Sequence, residues 1–282
     1  MKRNITVGYN ESTESVFAVM WAAQEASTRG LSLHIVEYAT GAPHDSYVIG
    51  NDIAALAEGD ITPIEGLRDA VLAAHPDVRV VTGRLATDSP SAELKAEGLD
   101  ADLLVVGASS HPGASGFWLG NTPRWLVRHS TCPIAVVRRP VGPWPPRRIV
   151  IGVDRCDAAV AWACREADLH HVPLVIVHVV AASRAQGGGP TTPDHVGPHA
   201  DAALTRAVDR ARRMCSSVVS SIRVEGEPVT ALLDVCGAGD LLVLGTRRRG
   251  RVVSALFGST VDGVLDHAHI PVVIVPEDAG ST

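Results

Sequence analysis

Aromatic side chains are scarce in this chain: three Phe, three Tyr and five Trp make up only 4% of 282 residues. Its cores must therefore be built from Val, Ile, Leu and Ala, the composition of buried parallel sheets. Cysteine is sparse too. Five are present, an odd number, and no two stand in a CxxC pair. That excludes a disulfide framework or a zinc ribbon, and Cys132, Cys156, Cys164, Cys215 and Cys236 read as small buried hydrophobes of a reducing compartment. A basic excess is missing: 25 Lys and Arg face 31 Asp and Glu, for a net charge of -6. Nucleic acid, whose phosphates call for a basic face, is not an expected partner. No apolar run reaches the roughly 18 residues of a membrane span. The stretch from Met1 to Gly8 reads as a strand rather than a signal peptide. The expectation is a cytoplasmic protein with no membrane partner.

What is present is ordinary for a globular protein, with 46% hydrophobic and 20% charged residues. A length of 282 residues suggests two domains. Between Arg138 and Arg148, four prolines and one glycine fall within eleven residues. Such a segment is stiff and extended and reads as a linker. The sequence on its two sides matches. Leu103-Leu104-Val105-Val106-Gly107 recurs as Leu241-Leu242-Val243-Leu244-Gly245. Gly120 and Gly258 follow at the same distance, then Pro133 and Pro271, with His129 and His267 in the same slot before each proline. Ile5-Thr6-Val7-Gly8 recurs as Ile149-Val150-Ile151-Gly152, and Trp21-Ala22 with Glu25-Ala26 recurs as Trp162-Ala163 with Glu166-Ala167. The chain is a duplication, with domains expected at 1–140 and 146–282.

Within each copy, short apolar runs alternate with helical patterns such as Ser12 to Arg29 and Ala158 to His171. Strands are expected near 3–9, 31–37, 78–82, 102–107 and 133–138, and again near 147–153, 173–180, 218–224, 240–245 and 271–276. This alternation predicts an α/β fold: two tandem doubly wound, five-stranded parallel sheets of the nucleotide-binding strand order 3-2-1-4-5, each with a ligand position at its topological switch point. The looser stretches Gly41 to Gly50 and Ser183 to Pro198 read as surface loops.

Chemistry concentrates after the fourth strand. In the second copy Gly245 closes a strand, Arg247-Arg248-Arg249-Gly250 follows, and Gly258-Ser259-Thr260 opens a helix with Ser259 as its expected N-cap. Free N–H groups and the helix dipole favour an anion there, and glycine admits close approach of phosphate oxygens. The alternative is a tight turn and a capped helix with no ligand. Asp154, just past Gly152, is the second candidate. An acid at the end of the first strand can accept from a ribose hydroxyl or an adenine edge, or can simply cap the next helix. The basic cluster with Arg251 could screen phosphates or be a solvated loop. His170-His171 and the His195/His199 pair form no recognisable metal motif with nearby carboxylates or cysteines. Ser115 and Ser259 have no evident base, and no nucleophile elbow stands after a strand.

In the spacing of Gly107 and Gly120, of Gly245, Gly258 and Ser259, in Asp154 past the first strand of the second copy, and in the entry Thr131-Cys132-Pro133-Ile134 into a fifth strand, the chain resembles the universal stress proteins, twice over, whose pattern is Gly-x2-Gly-x9-Gly-Ser/Thr after the fourth strand with an Asp ending the first. The resemblance implies an ATP-binding regulator of stress responses, with ADP or AMP as alternatives, magnesium left open, and little or no turnover, so not an enzyme. It implies an apolar adenine wall including Val179 and Leu244. It implies fifth strands, with Ile134, Val136, Val272 and Ile274, that pair across a two-fold axis: an intramolecular pseudo-dimer, with a further homodimer as an extension. The second copy departs from the pattern only at Arg248, which could crowd or contact the phosphates. The first keeps Gly8, Gly107 and Gly120, but has Asn10 for the acid, Ser110 for the middle glycine and Asn121 for the serine. Asn10 can still hydrogen-bond through its amide. Two further readings remain open: an interaction module whose nucleotide sites have decayed, and a weak ATP hydrolase.

Overall fold

In a computed structural model of the chain, the described residues are 4–38, 63–85, 89–108, 120–138, 144–153, 157–180, 198–246 and 259–277. They fall into two compact units, Met1–Pro140 and Val141–Thr282. The stretches read as loops at 41–50 and 183–197 lie outside the described residues, as do Ser110, Ser115, Asp154, Cys156, His195, the arginine cluster 247–251 and Gly258.

The first unit runs β1 (Asn4–Tyr9), α1 (Thr13–Arg29), β2 (Ser32–Tyr38), α2 (Pro63–Ala74), β3 (Val80–Leu85), α3 (Pro90–Glu97), β4 (Ala101–Gly107), α4 (Asn121–His129) and β5 (Ile134–Val137). The second repeats the series as β6 (Arg148–Gly152), α5 (Asp157–His170), β7 (Leu174–Val180), α6 (Pro198–Met214), β8 (Val219–Glu225), α7 (Pro228–Val235), β9 (Asp240–Thr246), α8 (Ser259–His267) and β10 (Val272–Pro276). Strand order is β3-β2-β1-β4-β5 in the first unit and β8-β7-β6-β9-β10 in the second. Every pairing in that order within a unit is parallel. The predicted α/β architecture with order 3-2-1-4-5 is the one observed.

The central strands are apolar on both faces because helices cover both. Ile5, Leu33, Leu103, Leu104 and Val105 in the first unit, and Ile149, Leu174, Leu242 and Val243 in the second, have no more than traces of exposure. The glycines identify the two faces. A Cβ on Gly8 would meet Leu94 of α3, whereas one on Gly107 would meet the backbone of α1. The first helix of each unit is built alike and ended differently. Ser12 caps α1 by accepting from Ser15 N at 3.2 Å, and Gly30 ends it in the left-handed region at φ 63°. Helix α5 ends on His171 at φ 55°, with Val172 N donating to Ala167 O at 3.0 Å, just as Leu31 N donates to Ala26 O at 2.9 Å. A glycine and a histidine thus occupy the same left-handed slot.

Strand β3 lies later than its expected position. It starts at Val80 and continues through Gly83 to Leu85 because β2 supplies a pairing partner up to Tyr38. Glycine inside an edge strand reads as a stop in sequence but needs no stop in the ladder. No helix among the described residues is long and apolar enough to cross a membrane.

Candidate functional site

In a sheet of order 3-2-1-4-5, connections diverge between the first and fourth strands, opening a crevice at their carboxyl ends. In the second unit these are β6 and β9. Gly152 is paired with Leu244 on one side and with Val177 on the other. A Cβ at Gly152 would lie 2.8 Å from Leu244 Cδ2 and 3.0 Å from Leu232 Cδ2, so glycine is what lets these two leucines close over the strand. Just beyond, Val153 N donates to Val177 O at 2.9 Å, and His178 Nδ1–H donates to Val153 O at 2.9 Å. These bonds hold the end of β6 against β7.

Val179 lies two residues past Val177, on the same face of β7 as Gly152's partner, and is half-exposed. Leu244 is buried, at 4% exposure. Gly245 is paired with Val275, and Thr246 O accepts from Glu277 N at 3.0 Å. The sheet therefore brings Gly152, Leu244, Gly245 and Val179 to one edge. Helix α8 begins at Ser259 itself, which corrects the expectation of an N-cap: Ser259 is the first helical residue and Thr260 the second. Ser259, Thr260 and Val261 each retain a backbone N–H in the first turn, where helices leave such donors unpaired. The site residues Asp154, Arg248 and Gly258 lie outside the described residues.

The first unit offers the same frame with different contents. Gly8 pairs with Val106 and Val36. Tyr38 stands in the slot of Val179, its Cε1 3.1 Å from where a Gly8 Cβ would be. It is 5% exposed, and burial pushes its hydroxyl pKa up to about 12. A neutral phenol ring thus fills the space that Val179 leaves partly open.

Asn10, buried at 9% exposure, is engaged locally. Its Oδ1 accepts from Ser12 Oγ at 2.7 Å and Ser12 N at 3.4 Å, and its own N–H donates to Ser15 Oγ at 3.3 Å. This is an Asx-type turn that feeds the cap of α1, with Glu11 at φ 63° as its pivot. Gly107 has a structural reason to be glycine: a Cβ there would fall 2.6 Å from Glu14 C and 2.7 Å from Ser15 N. Gly120 is the N-cap of α4 at φ −58°, ψ 163°, with no side-chain cap bond, and exposed Asn121 is the first helical residue. The third is Pro123, which has no N–H, so this turn offers an anion one donor fewer than α8 does.

The elements that sequence reasoning missed here are Tyr38, Leu232 and Pro123. Aligning Tyr38 with Val179, and Pro123 with Val261, across the duplication is the signal that finds the first and last of them. A cavity of about 140 Å³ opens beside His34, Val36, Val81, Gly83 and Glu97 on β2, β3 and α3, and none of the candidate residues lines it. His170, raised as a metal candidate, is buried with its Nε2 3.1 Å from Glu166 Oε1 and meets Trp144 edge-on. His171 is the exposed left-handed residue ending α5.

The fold and its switch-point glycines define a tandem of two doubly wound α/β units of one design. The chain belongs to the universal stress protein family, which matches residues 1–138 and 146–276. A universal stress protein of Mycobacterium tuberculosis is 25% identical over 97% of this chain and 96% of its own. Among solved structures, a universal stress protein from Archaeoglobus fulgidus covers 98% of this chain and 100% of its own at 16% identity, with a TM-score of 0.64, a likeness of fold. Another from the same organism, in complex with dAMP, covers 45% of this chain and 96% of its own at 23% identity, with a TM-score of 0.34.

Proposed function

We propose that the second unit binds an adenine nucleotide, ATP first and ADP or AMP as alternatives, and holds it without consuming it, as a stress-response regulator. The observation that carries this reading is the in-register pairing of Gly152 with Leu244 at the switch point. It sets a side-chain-free strand end beside an apolar floor. Val179 and Leu244 form the adenine wall in this reading, and Asp154 accepts from the ribose. The N–H groups of Gly245, Gly258, Ser259 and Thr260, with Arg248, take the phosphates.

A second reading applies to the first unit. There Gly8, Asn10, Gly107, Gly120 and Asn121 serve as scaffold in an interaction module whose nucleotide site has decayed. Two observations favour it: Asn10 Oδ1 already accepts from Ser12, and the ring of Tyr38 occupies the wall position.

Titration calorimetry of the full chain with ATP, ADP and AMP, with and without magnesium, tests both readings. One nucleotide per chain is expected, with affinity falling at least about tenfold in Asp154→Ala, the worth of one good hydrogen bond. No heat, together with no nucleotide released from the purified protein, overturns the first reading. Two nucleotides per chain overturn the second. A phosphate-release assay with a steady signal above the ATP-alone control would replace holding by hydrolysis.

A further inference from the structure

Cys164 lies on the buried face of α5, and Cys215 follows directly on α6. The Cys215 thiol donates to Asp168 Oδ1 at 3.5 Å and sits 3.9 Å from the main-chain oxygen of Cys164. The two thiols are near enough for each to shift the other's pKa. Asp168, one turn beyond Cys164, holds this arrangement in place: its carboxylate accepts from Ser216 N at 2.9 Å and Ser217 N at 2.7 Å. One carboxylate thus ties the turn that carries Cys215 to the helix that carries Cys164. Cys164 is buried at 1% exposure, while Cys215 is partly open to solvent, so a small oxidant reaches the second and not the first. No other two cysteines among the described residues share such a contact: Cys132 bonds to Ser130, and Cys236 lies by Asp240 and Arg148.

We propose that Cys164 and Cys215 are a redox modification site that closes into a reversible intramolecular disulfide when the protein meets a peroxide. Cys215 sulfur attacks one oxygen of hydrogen peroxide, the O–O bond breaks, and the second oxygen leaves as water once it takes up the thiol proton. Cys215 is then a sulfenic acid. Cys164 sulfur attacks Cys215 sulfur, the S–O bond breaks and the S–S bond forms, and the departing oxygen leaves as a second water with the Cys164 proton. Two thiols are oxidised by two electrons and one peroxide is reduced to two waters. A dithiol reductant reverses the change by exchange. The pair is not primed for speed. Burial pushes both thiols up, Cys164 to about 12, and the Asp168 charge adds to the rise at Cys215. The thiolate is the reacting form, so oxidation is slow near neutrality and accelerates with pH.

The test exposes the full chain to hydrogen peroxide, blocks remaining thiols with a maleimide, and maps peptides without reductant. The expected product links tryptic peptide 214–223 to 156–165, with fragmentation placing the bond on Cys164 rather than Cys156. Dithiothreitol restores both thiols, and the rate rises between about pH 7 and pH 9 as more thiolate forms. Closing this loop also raises the melting temperature of the oxidised protein by roughly 5–10 °C. Because the link is read in the wild-type chain, a poorly folding Cys215→Ser variant leaves the result interpretable. Advance of Cys215 to the sulfinic acid while Cys164 stays alkylatable overturns the proposal. So does a bond to Cys156, or both thiols unchanged under peroxide that oxidises the methionines.

Discussion

The α-carbon of Gly107 faces the peptide between Glu14 and Ser15 so closely that a Cβ would stand 2.6 Å from the Glu14 carbonyl carbon. The obstacle is helix backbone, which cannot swing aside as a side chain can. Gly107→Ala must therefore push α1 off the sheet, and a cost of about 2–4 kcal/mol is expected, at or above the upper range for overpacking. Gly83, in β3, has nothing within 4 Å of the same position, so Gly83→Ala is expected to change stability by no more than about 0.5 kcal/mol. Urea unfolding of the full chain compares the two. Equal effects would show that the close approach to α1 is not what fixes glycine at 107.

Asn10 acts through its side-chain oxygen. Asn10→Ala removes the acceptor for Ser12 Oγ and Ser12 N and loosens the start of α1, a loss of about 1 kcal/mol. Asn10→Asp keeps an acceptor in place and adds charge near a helix N-terminus, where it is favoured, so its melting curve is expected to match or exceed that of the wild type. An aspartate variant as unstable as the alanine one would mean that the amide nitrogen, not the oxygen, matters at this position.

These two residues show where sequence reading stops. The duplication, the parallel order and the ten strands were legible because each rests on repeated apolar runs and on punctuation by Pro140, Pro143, Gly107 and Gly245. The roles of individual motif residues were not. Gly107 reads equally well as a phosphate cradle and as a tight turn with no ligand, and only its distance to Glu14 and Ser15 shows the helix contact that requires glycine there. Ser259 reads as a cap because serine favours that place, yet the helix takes it in as its first residue. The filling of the first unit's wall depends on which face of β2 carries Tyr38. The register of β1 with β2 fixes that face, and the register emerges from pairing rather than from local sequence.

The duplication also supplies an internal comparison of helix ends. Gly30 and His171 close α1 and α5 at φ 63° and 55°. Glycine reaches that region without strain, whereas a residue with a Cβ pays roughly 1 kcal/mol or more. His171 is exposed, so its ring contributes no core packing. His171→Gly is expected to stabilise the second unit by about 0.5–1 kcal/mol, read as a higher urea midpoint at an unchanged slope. The reverse change, Gly30→His, is expected to destabilise the first unit by a comparable amount. A neutral result for both would indicate that these helix ends relax to other backbone angles.

Asp168 gives the second unit an acid sensitivity whose direction follows from its contacts. Burial by itself would raise the carboxyl pKa, but donation from Ser216 N, Ser217 N and the Cys215 thiol outweighs it, and the net shift is downward. A carboxyl depressed in the folded state adds stability that is fully present above its unfolded value, near 3.9, and is lost as pH falls through the lower folded value. Asp168→Asn, which mimics the protonated form, is expected to cost about 1–2 kcal/mol at pH 7, since a charged acceptor for two backbone donors becomes a neutral one. Stability profiles of the two proteins should run parallel from neutrality down to about pH 5 and converge below about pH 4, where the wild-type carboxylate takes up its proton. Convergence at a higher pH would place the folded carboxyl above its ordinary range. Burial would then dominate at this residue, and the three donors around it would contribute little to holding the turn.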